Sequence, residues 1–322
     1  MGVMGKSGWK VTALTWTLIL VYSCTPKDPA EVLKRVDAKI YYPDQTGMSS
    51  LSCQVQTPYV AEMFDRLDKD VPGSAKILNQ LKVEIVYYWG KDKGGKYFII
   101  GVPAELSALL TSIKEVVSGT DILIMPPTEQ KQFEPFKLSL QKDQQKLVLV
   151  GVNQDQNSEF REYHLTVNPR GWMILERKFV GKRFVSNSTL AFEDWKGKRF
   201  PVKIETVQEI TEKDQSKEEP EFRSLVEISY QEVDGYRLVK NLTYRFTKLD
   251  TGEKVIGPVE LNFENCKINP SLPAEFSKPG KVVFIGPVNE PRMIPEPVKP
   301  VKKSPEPKAK AKPSGKSKNP RR

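Results

Sequence analysis

The stretch Val226–Phe246, VEISYQEVDGYRLVKNLTYRF, carries the reading of the fold. Val226, Ile228 and Tyr230 recur every second residue and lead into Asp234-Gly235, a dipeptide suited to a tight two-residue hairpin turn. Tyr236, Leu238, Leu242, Tyr244 and Phe246 run back along the partner strand. The same period of two extends in both directions. Upstream it marks Val83–Trp89, Phe136–Leu140, Tyr163–Val167, Trp172–Leu175 and Phe200–Ile204, while Tyr97–Val102 and Leu147–Val152 read as strands that are apolar throughout. Downstream, Asp250-Thr251-Gly252 turns into Val259, Leu261 and Phe263. About ten strands joined by short turns predict an antiparallel sheet or partial barrel. Most strands alternate apolar with polar, so one face is covered and the other is wet.

The cover precedes most of the strands. Asp28-Pro29 is a helix start, with Val32, Leu33, Val36 and Ile40 on one stripe. Thr57-Pro58 repeats it before Val60, Met63, Phe64 and Leu67. A third helix is expected after Pro103, through Leu106, Leu109, Leu110, Ile113 and Val117, with Gly119 as its stop. The predicted class is α+β, a large antiparallel sheet with helices over one face.

Both ends differ from this body. Of 50 Lys and Arg and 40 Asp and Glu, residues 291–322 hold eleven basic side chains and two acidic ones. Residues 1–24 hold two Lys and no acid, so residues 25–290 carry 37 basic against 38 acidic groups, a net −1. The basic balance belongs to a tail, which gives no reason to expect nucleic acid as a partner. That tail, 287–322, is rich in Pro and Lys and has too little apolar surface to offset ordering. It reads either as a solubilising extension or as a tether to an anionic envelope polymer or lipid surface.

At the other end, Lys6 and Lys10 precede an apolar run over Val11–Val21, shorter than the roughly 20 residues of a membrane span. Residues 1–23 therefore read as an export signal. Leu20-Val21-Tyr22-Ser23-Cys24 resembles a bacterial lipobox, whose cysteine becomes the lipidated first residue, although Tyr22 is bulkier than that pattern prefers. Simple cleavage after Ser23 and an uncleaved anchor are the alternatives. Thr25 after the cysteine favours, by the same resemblance, the outer membrane facing the periplasm.

Little in the chain supports catalysis, a metal or a cofactor. One His and three Cys leave no zinc-site or Ser-His-Asp pattern. Gly90–Tyr97, GKDKGGKY, has phosphate-loop glycines, but Tyr97 replaces the magnesium-binding hydroxyl and a strand follows where a helix is needed. It reads as a hairpin turn. His164 alternates with Tyr163 and Leu165 and is expected on the wet face. Asn187-Ser188-Thr189 and Asn241-Leu242-Thr243 match glycosylation acceptors by chance if the cell is bacterial. Cys53 and Cys266 form either a long-range disulfide, contributing roughly 4–5 kcal/mol in the chain-entropy model, or two separate buried thiols.

Taken together, the exported leader, the helices ahead of a long meander, the 226–246 segment and the ending Leu261–Pro279, LNFENCKINPSLPAEFSKP, resemble the Lol-type (LolA/LolB-like) lipoprotein carriers and receptors of the bacterial envelope. The resemblance covers about residues 30–280, within an expected lipid-binding domain at 24–286, and contains no catalytic signature; the basic tail is foreign to that family. It implies a half-barrel sheet with helices as a lid over an apolar cavity that holds the acyl chains of a lipid or a lipidated protein. In such a carrier the expected lining is Phe64, Leu109 and Ile113 from helices and Trp89, Trp172, Tyr244 and Phe263 from strands. The competing expectation is a structural or regulatory envelope lipoprotein whose aromatics form a solid core with no ligand.

Overall fold

The computed structural model describes residues 26, 28–70, 80–143, 145–155, 157–211 and 221–286. Cys24, the leader and the 287–322 tail lie outside them. One open sheet contains β1 (Ser50–Gln56), β2 (Glu84–Gly90), β3 (Gly94–Ile100), β4 (Phe136–Asp143), β5 (Lys146–Asn153), β6 (Phe160–Asn168) and β7 (Met173–Gly181). It continues through β8 (Phe184–Trp195), β9 (Lys198–Ile210), β10 (Phe222–Val233), β11 (Tyr236–Lys248), β12 (Lys254–Ile268) and β13 (Val282–Ile285). The helices among the described residues are α1 (Pro29–Asp37), α2 (Pro58–Asp70), α3 (Ser107–Val117) and the short α4 (Asp121–Ile124) and α5 (Glu129–Phe133).

The strand order is β13-β3-β2-β1-β12-β11-β10-β9-β8-β7-β6-β5-β4. From β4 to β12 the chain meanders, each strand pairing antiparallel with the next. β1 then returns to pair with β12, β2 and β3 follow, and β13 closes the row parallel to β3. The α+β class holds, as a curved sheet that does not close. Three strands lie beyond those read above: β1, β8 and β13.

The start and stop signals act as their chemistry requires. The Asp28 carboxylate accepts from the Ala30 amide at 3.0 Å with Pro29 in the first turn, and Gly119 follows α3 at φ +79°. Asp234 and Gly235, at φ +50° and +83°, make the β10–β11 turn, and Lys196 and Gly197, at +49° and +76°, make a matching turn between β8 and β9. Gly90–Tyr97 is the β2–β3 hairpin.

The covered face holds two apolar clusters. In one, Met63 and Phe64 of α2 and Leu109, Ile113, Val116 and Val117 of α3 pack on Tyr87, Ile99, Leu242, Leu261 and Phe263. In the other, Val32, Leu33 and Val36 of α1 and Phe133 of α5 pack on Leu147, Leu149, Tyr163, Leu165 and Val167. Gly151 admits α5 here, because a β-carbon at that position would stand 2.8 Å from Phe136 Cβ and 3.0 Å from Phe133 Cδ1. A small third cluster, Phe98, Phe276 and Val283, lies on the other face, since Phe98 alternates with Tyr97 and Ile99.

Cys53 on β1 and Cys266 on β12 are joined by a disulfide across 213 residues of sequence. The pairing slips by one residue beside Cys53, where Asn265 adopts φ +49°; the bulge brings Cys266 opposite Cys53.

Candidate functional site: an apolar trough between two covered cores

Six of the seven expected lining residues come together. Phe64, Trp89, Leu109, Ile113, Tyr244 and Phe263 share the α2–α3 cluster, all of them at most 8% exposed. The Tyr244 hydroxyl donates to the Val116 carbonyl, which ties β11 to α3. Trp172 belongs to the other cluster, half-buried, with the Arg35 guanidinium 5.0 Å from its ring centre. The separation arises because Trp172 follows the β6–β7 turn, on the α1 side of the sheet. The helices sit directly on the strands at both ends, where a lid over a shared cavity was expected.

Between the two clusters the covered face changes character. Ile228 is the one residue of β8–β10 among the buried members of either cluster. Leu190, Ile204 and Val226 stand next to one another across β8, β9 and β10 and are half-buried. Leu190 borders the α1 cluster and Ile204 borders the α3 cluster, so their pairing is the seam between the cores. The next row on this face is Arg177, Ser188, Thr206, Ser224 and Phe246, linked through four successive strand pairings. Beyond it stand Phe179, Ser186, Gln208 and Phe222. The serines are buried and small, which relieves crowding where side chains converge on the inside of a curved sheet. They leave a floor of hydroxyls, Ser188 and Thr206 bonded at 2.8 Å, between half-buried apolar walls. At the rim Phe222 meets Phe246 at 5.5 Å, while Phe160, 46% exposed, meets Phe184 at 5.9 Å.

The charge at the trough's α1 end is neutralised. Arg177 is ion-paired with Glu129, which is fully buried and also accepts from the Tyr163 hydroxyl at 2.9 Å. Asp37, at the end of α1, accepts the amides of Glu129 and Gln130 at 2.8 and 3.1 Å and the Tyr42 hydroxyl at 2.7 Å. A carboxylate from one helix thus caps the next. Burial pushes the Tyr163 and Tyr42 hydroxyls far above the usual phenol range, and the neighbouring Glu129 adds to the effect. The trough therefore offers apolar area, neutral hydroxyls and the Gln208 amide, with the Arg177 charge paired to Glu129. His164 lies on the opposite face, half-buried, 2.6 Å from Glu162.

Two surface concavities accompany the trough, and none of the seven expected residues lines either. One of about 480 Å³ lies between α1, α5 and the start of β4. The other, about 540 Å³, lies among the β8–β9 turn, the β10–β11 turn and Ile40–Thr46.

No protein-family model matches the chain, and no characterised protein does. Among solved structures, a domain from Vibrio parahaemolyticus provisionally named an outer membrane lipoprotein-sorting protein is similar at 13% identity and a TM-score of 0.31. The match covers 77% of this chain and 95% of that one.

Proposed function

We propose that the protein is an exported envelope lipoprotein that binds acyl chains, of a lipid or of a lipidated protein, noncovalently in the β8–β10 trough. The observation that carries this reading is the row Leu190–Ile204–Val226, apolar yet half-buried between two packed cores. Each methylene moved from water onto such walls contributes about 0.8 kcal/mol, so a chain is held by desolvation alone. Binding needs neither cofactor nor metal, and the protein is not an enzyme. Cys24 is the lipid anchor, the outer membrane its place, and the basic tail a contact to an anionic envelope polymer. A second reading is favoured by the dense packing of Phe64, Leu109, Ile113 and Phe263, all at most 5% exposed: a structural or regulatory envelope component with no ligand.

Mass spectrometry of an organic extract of purified protein separates the two. The carrier reading expects a stoichiometric lipid, and saturable rebinding of a fluorescent fatty acid after delipidation. Ile204→Glu should abolish that binding. An empty extract together with no saturable binding leaves the structural reading.

A further inference from the structure

The concavity at the far end of β8–β11 has a chemistry of its own. Its volume is about 540 Å³, the scale of a sugar unit or two, and Tyr41, Gln45, Thr46, Trp195, Lys196 and Tyr236 are in its lining. Four aromatic side chains, two ammonium groups and two neutral polar side chains face one space, and no carboxylate is in the lining. The frame is rigid. Tyr41 is buried and its hydroxyl accepts from the Arg237 amide at 2.9 Å, while Trp195 packs edge-on to Tyr41 at 5.0 Å. Two glycine-containing tight turns fix Lys196 and Gly235 at the mouth. Lys198 donates to the Ala38 carbonyl at the end of α1 and is engaged in the frame. Lys196 differs: its ammonium lies 4.2 Å from the Trp195 ring centre, and its only carboxylate partner among the described residues is Glu232, 3.3 Å away in an exposed pair. Such exposed pairs contribute little to stability, so Lys196 can exchange Glu232 for a ligand anion at little cost.

We infer that this concavity binds an anionic sugar, with Trp195 and Tyr236 against the ring's C–H faces, Gln45 and Thr46 on its hydroxyls, and Lys196 on its carboxylate or phosphate. The site is separate from the trough and does not depend on lipid binding there. Free sugars and sugar units of an envelope polymer share this chemistry, and the test separates them.

The Trp195 indole N–H resonance, assigned by its loss in Trp195→Phe, is followed during titration with glucose, glucuronate, glucose 6-phosphate and a polyglucuronate. Expected is a saturable shift with both anionic sugars, at least about tenfold weaker with glucose. Lys196→Gln, a surface change that leaves the melting temperature unaltered, should remove the preference for the anions. Tighter binding of the polymer per sugar unit identifies a chain as the source; equal affinity identifies the free sugar. The inference is overturned if no ligand gives a saturable shift, if glucose binds as tightly as the anions, or if Lys196→Gln keeps the preference.

Discussion

Individual side chains separate the packed cores from the trough. Phe64 is 5% exposed among α3 and strand residues, so Phe64→Ala should cost about 3–5 kcal/mol, as core truncations do. Phe246 is half-buried at the trough margin, so Phe246→Ala should cost less than about 2 kcal/mol while weakening acyl-chain binding. Denaturant melts paired with a fluorescent fatty-acid titration read both quantities, and equal stability losses would remove the distinction. Glu129 makes a sharper case. Glu129→Gln leaves the Arg177 cation without its buried counter-charge and should cost about 3–5 kcal/mol. Replacing both at once, Glu129→Leu with Arg177→Met, should cost less than Glu129→Gln alone, because neither charge is then stranded. The tyrosines set an alkaline limit. Tyr42 and Tyr163 have raised pKa values in the folded protein, so the stability they contribute is full below about pH 10, where unfolded phenols titrate. It declines as the pH rises above that value. Absorbance of phenolate appearing only with loss of tertiary structure would be the signature.

At the scale of elements, what was legible in the sequence followed from how strongly each segment's face contrasts with its reverse. Tyr163, Leu165 and Val167 alternate with His164 and Thr166, and β6 reads directly from them. β8 does not, because its inner face presents Ser186 and Ser188 before Leu190, and small polar residues mimic a loop. The same serines make the trough, so the feature that defines the site is the one that hides it. β13, four residues beside β3, is too short to carry a period, and the polar Ser50, Ser52 and Gln54 mask β1. Of the expected lining, strand parity for Trp89, Tyr244 and Phe263 and helix stripes for Phe64, Leu109 and Ile113 put six residues in one cluster, but whether a face is packed or open depends on how closely the helices approach. The disulfide acts at this scale too. It ties the first strand to the last long one, and the chain-entropy model gives about 5 kcal/mol for closing 213 residues. Cys53→Ser with Cys266→Ser should therefore lower the urea midpoint, with a loss of about 2–5 kcal/mol and no further effect of reductant. An unchanged midpoint would mean that strand pairing alone holds β1 to β12.

For the whole molecule, charge and anchoring divide the labour expected of a lipid carrier. A near-neutral body, net −1 over residues 25–290, has little long-range attraction for an anionic surface, whereas residues 291–322 carry +9. The tail's sequence offers almost no apolar side chains to bury, so removing it takes little from the fold's stability. Deleting 291–322 should leave the melting temperature within about 1 °C, while binding to anionic vesicles or polymers is lost at low salt and was already weak at high salt. Cys24→Ser tests the other attachment. With the anchor gone and the tail present, the protein should move from the membrane fraction to the soluble one at high salt and remain partly bound at low salt. Removing both should leave it soluble throughout. Because the trough depends on neither, fatty-acid binding should be the same in all three variants. If tail deletion lowers the melting temperature by several degrees, the tail docks on the body, and the division of roles fails at that point. If Cys24→Ser stays in the membrane fraction at high salt, with an unmodified mature N-terminus in the parent protein, the lipoprotein reading fails instead.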